Sequence, residues 1–131
     1  MAKFNKGYED LQVWQKAIAV AEQIYLATKA FPKDEIYGMT SQMRRCIVSV
    51  ASNIAEGCAR NSSKEFVQFL GIASGSIAEL KTQLLISQRV GLLDNNVFDS
   101  LFTEATTIEK MLSALRASIA QPATCNLQLA T

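Results

Sequence analysis

Gln42, Arg45, Ser49, Ser52 and Glu56 recur at steps of three and four residues, with Asn53 beside them and Arg60 one turn beyond. At helical pitch this spacing puts them on one polar face. Guanidinium, carboxylate, amide and hydroxyl groups on one helix face can do one of three things. They can activate a nucleophile, contact the phosphates of a nucleic acid, or stitch the helix to a neighbour. The first needs a base. The chain contains no histidine, which excludes a His-based triad and the Glu-x-x-His ligand pairs of di-metal bundles. Cys46 and Cys58, near Arg45 and Arg60, would need an activating charge to act as nucleophiles. Small buried thiols are the simpler reading. No enzyme is expected, and no cofactor or metal.

The remaining choice is between a polar seam and a nucleic-acid contact. If the helix carrying these residues turns back near residues 60–62, Arg44 and Arg45 come level with Ile77 to Glu79. An Arg45–Glu79 bridge then becomes natural, with Arg44 as the substitute partner if the helix is rotated. Glu56 and Arg60 have the favourable i,i+4 order for a pair within the helix. The expected seam is therefore Gln42, Arg44, Arg45, Asn53, Glu56 and Glu79. It is favoured over direct contact with nucleic acid.

Four helices must position these residues. The first is predicted from about Asp10 to Ala30 and carries two apolar stripes. Leu11, Trp14, Ile18, Ala21, Tyr25 and Thr28 form the one expected to face the core, with Val13, Ala17, Val20, Ile24 and Ala27 beside it. Pro32 and Gly38 break the pattern. The second helix should begin at Thr40 or Ser41 and fade at Gly57. The third opens on a capping box, Ser62 to Glu65, and stops at Gly91. The fourth runs from Asp94 or Asn95 towards Pro122, with Phe98, Leu101, Ala105, Ile108, Leu112, Leu115 and Ile119 as its stripe. Gly71 and Gly75, four residues apart, suggest a smooth face that a neighbouring helix can approach. No strand pattern competes. The expected fold is all-α, an up-and-down antiparallel four-helix bundle over residues 1–120, with a flexible tail at 121–131.

Composition narrows the partners. Hydrophobic residues make up 49% of the 131-residue chain, which argues against disorder. The net charge is only +1, so no overall field draws the chain to nucleic acid or a membrane. The positive excess sits in residues 36–64, where Arg44, Arg45, Arg60 and Lys64 face Glu56 alone. Three cysteines without CxxC spacing suggest free thiols in a reducing compartment, the cytoplasm. Neither a signal peptide nor a membrane span is expected. The second stripe on the first helix, with Phe69, Ile72, Ile86, Phe102 and Met111 off the main stripes, is more apolar surface than a monomer needs to bury. Self-association is expected.

Ordered motifs extend this reading. They are L-x-V-W-Q-K-A at 11–17, I-Y-x-x-T-x-x-F-P at 24–32, E-x-Y-G-x-T-S-Q-x-R-R at 35–45, S-N-I-A-E-G at 52–57, F-L-x-I-A-x-G-S at 69–76 and E-L-x-T-Q-L at 79–84. In order and spacing the chain resembles the 23S ribosomal RNA intervening-sequence proteins, often called simply four helix bundle proteins. The resemblance implies a left-handed up-and-down bundle assembled as a homopentamer, bacterial and cytoplasmic, with no known catalytic activity. A ribosomal-protein label sometimes attaches to the family. The accessory proteins of diversity-generating retroelements share the fold, are basic, and associate with a reverse transcriptase and nucleic acid; this chain is nearly neutral. Two functions follow as expectations. One is an oligomeric accessory factor that touches RNA, or a nucleic-acid-handling protein, through Arg60 and Lys64 with Lys3 and Lys6. The other is an oligomeric protein-binding scaffold without RNA contact.

Overall fold

A computed structural model describes residues 7–120. Lys3, Lys6, Cys125 and the expected tail lie outside them. Four helices follow a short 3-10 turn: α1 (Gln12–Thr28), α2 (Met39–Ala59), α3 (Ser63–Arg89) and α4 (Asn95–Ala120). Among the described residues each helix packs on its neighbours in sequence, and α1 closes against α4. This is the all-α antiparallel up-and-down bundle.

The core is a column of aliphatic side chains. Val13, Ala17, Val20 and Ile24 come from α1, Met43, Ile47, Val50 and Ile54 from α2, Leu70, Ala73, Ile77, Leu80 and Leu84 from α3, and Leu101, Ala105, Ile108 and Leu112 from α4. Each large one contributes roughly 1.5–3 kcal/mol of hydrophobic stabilisation. The expected orientation of α1 needs correction. Its buried stripe is the Val13–Ile24 series, and the Trp14 stripe lies at the α2 flank, with Ile18 44% and Tyr25 42% exposed. The narrow Val and Ala side chains let α1 approach the core, which leaves the aromatics at the edge. Trp14 packs against Tyr8 at 5.1 Å between ring centroids.

Helix ends follow their local chemistry. Ser62 Oγ accepts from the Glu65 backbone N–H at 3.2 Å, and Asp94 Oδ1 accepts from the Val97 N–H at 2.9 Å. Both satisfy donors that a helix start leaves free. Gly91 takes φ +84°, and the N–H groups of Leu92 and Leu93 then return to the Ser87 carbonyl. Helix α2 starts before Thr40. Glu35 reaches its first turn and accepts from the Met39 N–H at 3.1 Å, while Thr40 is buried.

Gly57 does not end α2. It lies inside the helix, buried, and a Cβ there would stand 2.6 Å from Phe69 Cβ and 3.0 Å from Phe66 Cδ1. The close approach of helices is thus at Gly57. Gly71 instead lies beneath the Arg116 guanidinium, and Gly75 faces open space.

Candidate functional site

The polar stripe of α2 divides into two parts. Near the hairpin it is closed by charge. Arg60 donates to Glu56 at 2.9 Å and to Glu65 at 3.5 Å, with its guanidinium 5.0 Å from the centre of the Phe69 ring. These side chains are about half exposed, so the cluster contributes little to stability, at most about 1 kcal/mol per pair. It matters more for what Arg60 can still do, since two carboxylates already surround that cation.

Farther up, α2 and α3 part into a groove of about 470 Å3 lined by Gln42, Arg45, Cys46, Ser49, Ser76 and Glu79. The Ser49 and Ser76 hydroxyls meet across it at 2.9 Å. Asn53 Nδ2 donates to the Ser49 carbonyl at 2.8 Å and to its hydroxyl at 3.0 Å. Below, Gln83 is 5% exposed and donates through Nε2 to Glu79 at 3.4 Å. Its Oε1 is buried without a partner. Burial pushes the Cys46 thiol up from 9.0 to about 11, aided by the neighbouring Glu79 charge. The thiol is protonated at neutral pH.

Arg45 and Glu79 share this groove, but none of the ion pairs among the described residues joins them. Arg44 joins α2 to α1 and is not paired with Glu79. It turns to the opposite flank of α2, where Nε donates to Thr28 Oγ1 at 2.9 Å and Nη2 to the Tyr25 carbonyl at 3.4 Å. Its guanidinium lies 4.6 Å from the Tyr25 ring centre. A cation at the C-terminal turn of α1 also suits the helix dipole. Ser52, too, faces the α1 flank. Gln83 was not anticipated. Its spacing of four from Glu79 was the available signal, but a glutamine inside a helix rarely announces burial.

The α1–α2 flank is apolar. Trp14, Ile18, Ala21, Val48, Ala51 and Ala55 line a furrow there, and Val48 is 44% exposed. Lys64 is exposed in the first turn of α3, beside a hollow shared with Val67, Gln68 and Ile119. No group of three His, Cys, Asp or Glu residues able to hold a metal occurs among the described residues. No described helix is long and apolar enough to cross a membrane.

The thiols provide a direct check. At pH 8 a group titrating near 11 is thiolate in roughly one molecule per thousand. Cys46 should therefore resist alkylation in the folded chain and label fully in urea, as read by peptide mass spectrometry. Because the folded value is raised, its contribution to stability is complete below about pH 9 and is lost as pH rises through 11. Rapid labelling of Cys46 in the folded chain at pH 8 would contradict this environment.

Fold and groove define a class: an antiparallel helical bundle whose polar chemistry lies on its flanks rather than inside its core. The model of the 23S rRNA-intervening sequence protein family matches residues 9–114, and the chain belongs to that family. A crystal structure from Bacteroides thetaiotaomicron VPI-5482, of a protein with unknown function from the S23 ribosomal protein family, has the same fold. It matches with a TM-score of 0.74 at 24% identity, over 80% of this chain and 95% of that one. No curated protein matches the chain significantly.

Proposed function

We propose that this protein is a non-catalytic, self-assembling scaffold, a cytoplasmic ring of identical bundles that presents its flanks to other proteins. The observation that carries the proposal is the open apolar furrow between α1 and α2. Trp14, Ile18, Ala21 and Val48 line it, and towards the other end of α2 Tyr25, Ile36 and Val48 adjoin Arg44 and Arg45. Exposed contiguous apolar surface of this kind marks an interface.

Other exposed apolar residues, Ile72 near the open Gly75 and Ile86 farther along, lie on α3. Two different apolar faces on one chain suit a head-to-tail contact, which closes into a ring when the rotation permits. A pentamer is the ring that the family resemblance implies.

Direct RNA contact is less well supported. Arg60 is held by Glu56 and Glu65, and Arg44 is committed to α1. Lys64 alone of the Arg60–Lys64 turn extends to solvent without a described ion pair.

Light scattering at micromolar concentration should report several chain masses. A clean monomer would overturn the scaffold. Structured RNA titrated from 50 to 200 mM salt should show weak or no binding. Tight binding that falls steeply with salt, and is lost in Arg60→Ala/Lys64→Ala, would restore the accessory-factor reading.

A further inference from the structure

The groove between α2 and α3 holds charges that the bundle does not use. Glu79 receives a hydrogen bond from Gln83 Nε2 at 3.4 Å, but no described cation pairs with it. Its carboxylate is thus oriented without being neutralised. Gln83 Oε1 is a buried acceptor without a partner, but Gln83 does not line the groove itself. On the α2 side Arg45 is exposed and equally unpaired among the described residues. The Ser49–Ser76 pair crosses the space between the two helices. At about 470 Å3 the groove has the size of an ordinary small-molecule site.

We propose that this groove binds a free α-amino acid, with Arg45 taking its carboxylate and Glu79 its ammonium. Opposed charges on the two walls select a ligand that carries both. A polyamine would meet Glu79 but be repelled by Arg45, and a simple anion would meet the reverse. A nucleobase would want an aromatic face to stack on, and no aromatic residue lines the groove. The donors and acceptors are also graded by position. Glu79 makes the α3 wall acceptor-rich, where an ammonium can donate hydrogen bonds. Arg45 offers the planar donor fork that matches a carboxylate. All of these residues belong to one chain, so the site does not depend on assembly.

The test is thermal unfolding and titration calorimetry of the full chain with glycine, serine, glutamine and arginine. At least one should raise the unfolding temperature saturably. Its methyl ester, lacking the carboxylate charge, should bind roughly tenfold more weakly or worse, the loss expected for one charge-assisted hydrogen bond. Its N-acetyl form, lacking the ammonium, should lose as much. Arg45→Ala and Glu79→Gln should each reproduce that loss, while Lys110→Ala on α4 should not. If Glu79→Gln disturbs the helical fold by circular dichroism, the two blocked ligands still decide the matter. The proposal is overturned if no amino acid stabilises the chain, if the blocked forms bind as well as the free one, or if spermidine competes for the groove.

Discussion

Gly57→Ala should destabilise the bundle by roughly 1–3 kcal/mol, and Gly57→Leu by more, up to loss of the fold. The added Cβ would stand 2.6 Å from Phe69 Cβ. Phe69 Cβ is the root of its side chain, so no rotamer change moves it away. The helices must separate instead, and overpacking of this kind costs about 1–3 kcal/mol. A glycine inside a helix ordinarily gains about 1 kcal/mol on replacement by alanine, so the substitution would stabilise if the space were open. The two cases differ in sign. Urea denaturation midpoints separate them, and a more stable Gly57→Ala chain would show that α2 and α3 do not approach so closely.

Replacing Ile18 and Val48 together by Glu should convert the proposed ring to monomers without unfolding them. Both side chains are 44% exposed, and neither belongs to the buried column. In a ring each would be covered by the next copy. A carboxylate trapped there without a partner costs several kcal/mol, and the cost recurs at every interface. Light scattering and circular dichroism together give the readout. An oligomer of unchanged mass would move the contact to another face, with α3 around Ile72 the next to be altered.

Much of the bundle was legible in the residues. Helix number and order followed from apolar spacing, and Ser62, Gly91 and Asp94 marked boundaries because capping is local chemistry. Rotation was harder to read. A helix turns about 100° per residue, so two adjacent apolar stripes satisfy the same periodicity. Only packing decided that Val13 and Ile24 turn inward while Trp14 and Tyr25 do not. The mirror alignment about the α2–α3 hairpin fixed how far along the bundle Arg44 and Arg45 lie, near Glu79. It could not fix which flank each faces. Arg45 shares the groove with Glu79; Arg44, one residue earlier, meets Thr28 instead. Gly57 reads in the sequence as a helix end, and the structure uses it for close contact. Finding that contact required Phe66 and Phe69 in three dimensions. Gln83 was missed because its burial depends on a neighbouring helix.

The neighbour-by-neighbour packing of the bundle also bears on how it assembles in time. Three of its four helix interfaces join segments separated by a single short connection, and loop closure there is inexpensive in entropy. The α1–α4 interface alone brings together helices from opposite ends of the described chain. It is the seam whose formation must wait for the others, and the one a fluctuating bundle gives up first. The groove between α2 and α3 lies across the molecule from that seam, whereas the furrow is formed in part by α1 itself. A bundle that breathes at α1–α4 can therefore keep the groove in shape.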